Sequence, residues 1–194
     1  MDFFSYITGL IGQEGRRGAL MISIDCNHPD LIEFINLKSQ KDICTKANIS
    51  VRVSDKFMQA VLNNEDYTLH YYRPEGNQTI EKTIKAKEIF HLLALRNWEW
   101  AEPGILYWDR IQNYNLLDNT GFKYAGVNPC AEEPLPAGGS CLLGSINLSE
   151  FIINPFTNNA KIDYEALEEA TSIAIVGLNQ VLIEGLNFHP LKEQ

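Results

Sequence analysis

Residues 19–53 read ALMISIDCNHPDLIEFINLKSQKDICTKANISVRV, and this stretch decides the fold class. Residues 19–25 form a short apolar run with the length of a buried strand. Pro29 and Asp30 then favour the start of a helix, because proline is tolerated in a first turn and an acid suits the positive end of the helix dipole. Residues 49–53 alternate as a strand does. Strand, helix and strand in this order predict a parallel α/β unit.

The alternation of strands and helices continues on both sides of this stretch. Helices are predicted for residues 2–10, from Ser54 onward, over about 84–100 and, most clearly, over 163–184. Strands are predicted for residues 67–72, 105–108 and 141–148, and loops or turns for 12–18, 73–79 and 114–127. The whole pattern predicts a parallel α/β architecture, either an open sheet or a barrel.

The composition is that of a globular, acidic protein. Of 194 residues, 45% are apolar, which is too high a share for a disordered chain. The net charge of −9 argues against binding to nucleic-acid polymers, because such proteins need a basic face. No run approaches the roughly 18 apolar residues that span a bilayer, and the first residues lack the basic segment and cleavage site of a signal peptide. We therefore expect a cytoplasmic protein that does not bind a membrane.

The chain contains four cysteines, Cys26, Cys44, Cys130 and Cys141. No pair has the C-x-x-C spacing of a zinc or thioredoxin-type motif, so no metal site is expected. We interpret Cys26 and Cys44 as small buried hydrophobic residues. The surroundings of the other two cysteines are different.

The segment GQEGRRG, residues 12–18, lies between a predicted helix and a predicted strand. It lacks the G-K-[ST] of a Walker loop, and it precedes a strand where a dinucleotide fingerprint would follow one. Taken alone, such a segment is typical of a solvated turn. Its glycines also permit close backbone approach, and Arg16 and Arg17 could contact a phosphate or a base.

The segment NPCAEEPLP, residues 128–136, is the most informative for function. If it is extended, Asn128, Cys130 and Glu132 point to one side at steps of about 7 Å. Acidic neighbours disfavour a thiolate, so Cys130 is expected to stay S–H, a poor nucleophile but a suitable hydrogen-atom donor and acceptor. Glu132 could act as a general base and Asn128 could bind a hydroxyl. A proline-rich surface loop with a buried cysteine explains the pattern equally well.

Cys141 follows Cys130 by eleven residues. If the intervening residues form a hairpin-like return, the two thiols meet, which suggests a reductant that forms a disulfide. A core cysteine at the start of a strand is the alternative.

The motif N-P-C-A-E-x-P-L-P-x₄-S-C-x-L-G-S-I-N-L resembles the active-site stretch of the large, catalytic chain of ribonucleotide reductase. The stretches GRRGALM, HPDLIEFINLK, ANISVRVSDKFMQAV and AEPGILYWDRI and the final helix resemble the same family in the same order, so the likeness covers nearly the whole chain. The GRRGA form and the eleven-residue cysteine spacing are most similar to the adenosylcobalamin-dependent (class II) branch. Class I chains, which use a separate radical subunit, look similar and are the alternative.

The resemblance implies a ten-stranded α/β barrel with the radical cysteine on a central finger loop. By motif, Cys130 corresponds to the thiyl-radical cysteine, Glu132 to the base for the ribose 3′-hydroxyl, Asn128 to the amide that binds ribose hydroxyls, and Cys141 to one of two reducing cysteines. The loop that links effector and substrate would contain Gln13, Gly15, Arg16, Arg17 and Gly18, with Gln13 and Arg17 the expected contacts.

The resemblance also implies a set of ligands and partners. These are a ribonucleoside di- or triphosphate, ATP or dNTP effectors, adenosylcobalamin bound largely outside this stretch, a thioredoxin- or glutaredoxin-type reductant, the remainder of the barrel and a second copy of the chain. Residues 1–194 are expected to be one partial barrel domain, truncated at both ends, and inactive in isolation. A non-catalytic remnant that binds only nucleotide or partner fragments is the alternative, and a metal-binding module is a weaker one.

Overall fold

The computed structural model describes residues 1–13, 16–39 and 42–188. The chain divides into two units, Met1–Ala137 and Gly138–Gln194. The helices are α1 (Asp2–Leu10), α2 (Leu31–Asn36), α3 (Asp55–Asn63), α4 (Ala86–Trp100), α5 (Trp108–Asn113) and α6 (Tyr164–Leu186). The strands are β1 (Gly12–Gln13), β2 (Arg16–Arg17), β3 (Leu20–Asp25), β4 (Ala47–Val53), β5 (Asp66–Arg73), β6 (Gln78–Lys85), β7 (Gly104–Tyr107), β8 (Gly126–Val127), β9 (Pro134–Leu135), β10 (Ile152–Ile153) and β11 (Lys161–Ile162).

A parallel sheet in the order β3-β4-β7 forms the centre of the first unit. The predicted strand–helix–strand unit around residues 19–53 is therefore confirmed, and the structure is mixed α/β. The remaining strands of the described residues pair in four antiparallel two-stranded sheets, and no closed barrel forms among them.

One face of the sheet is buried against α2, α3 and α4. Side chains at alternate positions of β4 point into this core, where they meet apolar residues of the helices. The largest fully buried members of the core are Leu31, Ile35, Ile49, Val51, Val53, Phe57, Leu69, Ile89 and Leu93.

Helix α3 begins where the sequence predicts. Ser54 is its N-cap, and its Oγ accepts a hydrogen bond of 3.1 Å from the backbone N–H of Phe57. The helix ends at Asn64, whose φ of 56° is left-handed, a conformation that asparagine tolerates better than most residues.

Sequence patterns missed one strand and wrongly predicted another. The helix expected over about 84–100 is confirmed as α4, which begins at Ala86. The residues before it form β6, a strand that was not predicted and that pairs along its whole length with β5. β6 is exposed on both faces, so it lacks the apolar alternation by which a strand is recognised. The strand expected for residues 141–148 does not form: residues 141–147 have no regular secondary structure and pair with no strand of the described residues, and Leu148 begins a short 3₁₀ helix (Leu148–Phe151).

The second unit contains the antiparallel pair β10–β11 and the predicted C-terminal helix, α6. Asp163 caps α6 by accepting a hydrogen bond of 3.1 Å from the N–H of Ala166. Among the described residues, α6 is the one helix whose length and hydropathy (mean 1.3) would allow it to cross a membrane, although this is weak evidence. A count of uninterrupted apolar residues missed this property, because glycine, serine and asparagine break up the apolar run.

A partly buried ion pair attaches the helical layer to the start of β4. Lys38 Nζ lies 3.0 Å from Glu102 Oε2, with side chains only 14% and 25% exposed. The same ammonium group donates to the carbonyls of Cys44 and Ala47, both at 2.6 Å. Glu102 Oε1 accepts a bond of 3.0 Å from the N–H of Ile49. The pair therefore also satisfies backbone groups at the N-terminal end of the central strand β4.

A buried phenol lies beside a buried thiol at the opposite end of the sheet. The Tyr67 hydroxyl is 3.4 Å from Cys26 Sγ. Burial, and then the neighbouring Cys26, raises the pKa of Tyr67 above its ordinary value of 10.0. The folded protein therefore favours the neutral phenol.

We expect Glu102→Ala to destabilise the first unit by roughly 2–4 kcal/mol, because it leaves the Lys38 ammonium and the Ile49 N–H without their acceptor. The measurement is urea denaturation followed by tryptophan fluorescence, since Trp98, Trp100 and Trp108 all lie in this unit. The control is Asp66→Ala, which removes the exposed Lys85–Asp66 pair and should cost less than about 1 kcal/mol. Equal losses in both variants would contradict the importance of the Glu102 contacts.

The raised pKa of Tyr67 predicts a loss of stability at alkaline pH. Above pH 10 the unfolded chain ionises this residue first, so stability is present below that pH and falls, by up to about 1.4 kcal/mol per pH unit, until the folded pKa is reached. Tyr67→Phe should remove this contribution and flatten the alkaline decline in urea midpoint. Tyr114→Phe, at a hydroxyl that is largely exposed, should leave the decline as it is. An identical decline in Tyr67→Phe would refute the prediction.

Candidate active site

The cysteine of the NPC motif lies in a tight turn that joins β8 and β9. Residues 128–133 form this segment, here called the Cys130 turn, and Val127 pairs with Pro134 at its base. The N–H of Ala131 donates to the Asn128 carbonyl at 3.0 Å, which closes a β-turn with Pro129 and Cys130 at its centre. Asn128 and Glu133 are joined across the base by a backbone bond of 3.0 Å.

The segment is therefore not extended, and the condition under which Asn128, Cys130 and Glu132 would point to one side is not met. The Asn128 side chain closes the turn further, because its Oδ1 accepts a bond of 3.0 Å from the N–H of Glu133. Ala131 takes a left-handed φ of 69°, which reverses the chain direction. Asn128, Cys130 and Glu132 thus follow a turn and lack the regular spacing that an extended segment would give them.

The environments of the predicted site residues differ. Asn128 is buried, whereas Cys130 and Glu132 are exposed. Cys130 is a free thiol at the surface, so the alternative of a buried cysteine in this loop does not hold. Cys26 and Cys44 are both buried, as predicted.

Cys141 is free and exposed in the second unit, in a stretch without regular secondary structure. Because it and Cys130 belong to different units, its pairing with Cys130 stays a prediction.

Two side chains of the central strand β4 attach the segment that carries Cys130 to the sheet. Asn48 Nδ2 donates a hydrogen bond of 2.7 Å to the carbonyl of Pro129. Arg52 Nη1 donates a bond of 3.3 Å to the carbonyl of Ala125. The Cys130 turn therefore lies against the face of the sheet that is opposite to the helices.

The guanidinium of Arg52 is itself oriented by neighbouring side chains. Its Nη2 donates a bond of 2.9 Å to Asp25 Oδ2. Its Nε lies 2.9 Å from Asp25 Oδ1 but outside hydrogen-bond geometry, so this second approach is an ion contact only. The group also lies 5.0 Å above the ring of Trp108. A carboxylate, an aromatic ring and a carbonyl together fix its position.

Sequence reasoning missed Asn48 and Arg52, although a signal was present. Strands of parallel sheets are normally apolar on both faces, because helices cover both. In β4 the apolar positions alternate with Asn48, Ser50 and Arg52. Polar residues at every second position of a central parallel strand indicate a face with a role other than packing.

The predicted effector loop contains a short antiparallel ribbon, in which Gly12 pairs with Arg17 and Gln13 with Arg16. Arg17 is exposed, and Gly15 lies outside the described residues. Gly18 packs against the end of α1, where its N–H donates a bond of 2.9 Å to the Ile11 carbonyl. A Cβ at Gly18 would lie 2.5 Å from the Thr8 carbonyl oxygen, so the close approach requires glycine. The contacts of this loop with nucleotides stay a prediction.

We expect Ala131→Gly to stabilise the first unit, or at least not to weaken it. Relief of the left-handed backbone gains about 1–2 kcal/mol, and the greater freedom of glycine in the unfolded chain costs about 0.4–1 kcal/mol. Ala125→Gly, in the same segment without a positive φ, should destabilise by about 0.5–1 kcal/mol. Urea denaturation of the two variants tests the difference, and a larger loss for Ala131→Gly would contradict the left-handed assignment.

The family model described as "Ribonucleotide reductase, barrel domain" matches residues 1–194. A vitamin B12-dependent ribonucleoside-diphosphate reductase of Thermoplasma acidophilum is 39% identical over 184 residues, which are 94% of this chain and 23% of that protein. A protein of the same name from Mycobacterium tuberculosis is 31% identical, over 94% of this chain and 25% of its own length.

A vitamin B12-dependent ribonucleotide reductase of Streptomyces clavuligerus is 30% identical, over 87% of this chain and 20% of that protein. The chain therefore spans about a quarter or less of the length of these curated relatives. The recognition made from the NPC motif is confirmed, because the match to the family model covers the whole chain. This chain belongs to the ribonucleotide reductase family and corresponds to part of its barrel domain.

Proposed function

We propose that this chain is a central part of the catalytic chain of a ribonucleotide reductase, which converts ribonucleoside di- or triphosphates to 2′-deoxyribonucleotides for DNA synthesis. The observation that carries the proposal is the exposed, free thiol of Cys130 in a turn attached to the polar face of a parallel sheet. A purely structural cysteine would be expected in the core, as Cys26 and Cys44 are.

The reaction replaces the ribose 2′-hydroxyl by hydrogen and releases it as water, while a dithiol supplies two electrons and two protons and becomes a disulfide. As its thiyl radical, Cys130 takes the ribose 3′ hydrogen atom, and its S–H returns that atom at the end. Glu132 accepts the 3′-hydroxyl proton, for which its exposed carboxylate is accessible. These roles follow from the family motif.

Asn128 performs two functions in this proposal. Its Oδ1 is engaged by the Glu133 N–H, which closes the turn. Its Nδ2 carries the two N–H donors of the amide, and these are the groups that would bind a ribose hydroxyl. The side chain thus orients the substrate relative to Cys130 through a single rigid group.

Cys141 is proposed as one of the two cysteines that reduce the substrate. It is free and exposed, as a thiol that exchanges with an external thioredoxin- or glutaredoxin-type reductant must be. Cys26 and Cys44 are buried and do not match the family position of its partner, so we propose that the second redox cysteine belongs to another part of the complete enzyme.

We propose adenosylcobalamin as the cofactor, in line with the vitamin B12-dependent relatives. When bound, it supplies the radical that removes the hydrogen atom from a thiol. Of the two exposed thiols, Cys130 and Cys141, the one proposed for this chemistry is Cys130, which matches the radical cysteine of the family motif. Thiyl chemistry needs a thiol that is accessible and fixed in place. The hydrogen bonds from Asn48 and Arg52 fix the segment that carries the thiol.

The remaining partners are proposed from the family. The effector loop, with Gln13, Gly15, Arg16, Arg17 and Gly18, would connect ATP or dNTP binding to the choice of substrate base. The other barrel strands and a second copy of the chain would complete the enzyme, in the cytoplasm.

The function can be tested in a chimera in which this chain replaces the matching segment of the Thermoplasma acidophilum relative. With ribonucleotide, adenosylcobalamin and a dithiol, we expect turnover by the chimera. Cys130→Ser should lower it by roughly 1,000-fold or more, the scale for loss of a reacting group, and Glu132→Gln by roughly 100-fold. Cys141→Ser should abolish repeated turnover with a protein reductant.

Cys26→Ser is the matched control, because a hydroxyl can replace this buried thiol beside Tyr67 and Ser54 without entering the proposed chemistry. It should leave the rate within about twofold, a change of less than 0.5 kcal/mol. Turnover by Cys130→Ser at the level of Cys26→Ser would refute the proposed function.

A further inference from the structure

We propose that Asn48 and Arg52 are positioning residues that set the location of the Cys130 thiol by attaching its turn to β4 at two points. The importance of that location for catalysis rests on the proposed function of Cys130. The attachment itself is a structural property and can be tested without turnover.

The geometry defines two separated anchors. Asn48 and Arg52 are at positions i and i+4 of β4 and lie on the same face, roughly 13 Å apart along the strand. Their acceptors, the carbonyls of Pro129 and Ala125, are also four residues apart, in the opposite direction. The segment therefore runs antiparallel across the face of β4. One anchor would allow it to pivot, whereas two fix its direction and its distance from the sheet.

The anchor next to Cys130 is Asn48. The carbonyl of Pro129 belongs to the peptide bond whose N–H is that of Cys130, and Asn48 donates to it at 2.7 Å. This bond joins residues 81 positions apart, so it is a tertiary contact that local turn geometry cannot replace. Loss of the Asn48 amide should loosen the turn and leave the sheet intact.

The anchor at the other end needs the fork of an arginine. Arg52 pairs with Asp25 through one side of the guanidinium and donates to Ala125 through Nη1. A lysine could still pair with Asp25, but its single nitrogen lacks the planar spread that reaches both partners. Arg52→Lys therefore separates the two functions, because it retains the ion pair and loses the attachment of the turn.

Other side chains fix the path by which the segment reaches this anchor. Gln112 Nε2 donates to the Tyr124 carbonyl at 3.2 Å, and Asn115 Nδ2 donates to the Phe122 carbonyl at 2.6 Å. These two bonds fix the position of the chain at residues 122 and 124, just before the segment that carries Cys130. From there to the turn, Arg52 and Asn48 supply the bonds from the sheet that were identified above.

Hydrogen exchange of the purified 194-residue chain, followed by mass spectrometry, tests the proposal. The probes are the amides of Ala125, Asn128, Ala131 and Glu133, each of which donates a hydrogen bond in the turn or its base. Asn48→Ala should speed their exchange roughly fivefold, and Arg52→Lys roughly threefold or more. Asn48→Gln, which retains an amide donor, should restore at least part of the protection. Asn63→Ala, at an exposed asparagine of α3, is the matched control and should change nothing in the turn.

Three of the four cysteines give an independent check in the same samples. Alkylation of Cys26 and Cys44 reports opening of the core, and alkylation of Cys141 reports the second unit. Both should stay as in the parent chain, while exchange in the turn increases. Exchange within twofold of the parent in both Asn48→Ala and Arg52→Lys would overturn the proposal. Faster exchange in the turn together with increased alkylation of Cys26 and Cys44 would also overturn it, because Asn48 and Arg52 would then stabilise the core as a whole.

A failure of the proposed function would give a different result. In that case the exchange effects would remain, and the Cys130→Ser chimera would retain its activity.

Discussion

The strand Ala47–Val53 has one apolar and one polar face, and both the core and the candidate site depend on this division. Ile49, Val51 and Val53 are about 1% exposed and pack against the helices. Burial of each such side chain contributes roughly 1.5–3 kcal/mol, so the strand is fixed by its apolar face. Because neighbouring side chains alternate, the same backbone holds Asn48 and Arg52 rigidly on the other face. Packing of the apolar face of β4 therefore also fixes the positions of the side chains on its polar face.

The segment that carries the thiol has little regular secondary structure, and its backbone groups still need partners. Side-chain donors provide them at the carbonyls of Phe122, Tyr124, Ala125 and Pro129. This arrangement gives a loop a defined position without making it part of the sheet. An exposed thiol with a fixed backbone is what radical transfer to a bound substrate would require, since a displacement of about 1 Å at a reacting centre can cost a factor of about 100 in rate.

Sequence patterns predicted those elements whose side chains face a core inside this chain. The strands around residues 19–53 and the Ser54 cap are of this kind, and each was correctly predicted. The C-terminal helix was also correctly predicted, from its apolar periodicity, although none of its residues is buried. β6 was missed, and the strand predicted for residues 141–148 was wrong, because strand formation depends on a partner, which periodicity alone does not identify. Cys130 and its neighbours were recognised by motif, but the path of their backbone was not. The bond between Asn128 Oδ1 and the Glu133 N–H closes a turn that proline content alone would not distinguish from an extended loop.

The residue type at position 128 follows from the two demands that the turn makes on one side chain. Its Oδ1 must accept from the Glu133 N–H, which an aspartate could also do. The substrate role proposed for it requires N–H donors, which an aspartate lacks, and a second carboxylate next to Glu132 and Glu133 would add repulsion. An amide meets both demands because its acceptor faces the backbone while its donors remain for a ligand. The burial of Asn128 beside the exposed Cys130 therefore separates the support of the turn from the reactivity proposed for the thiol.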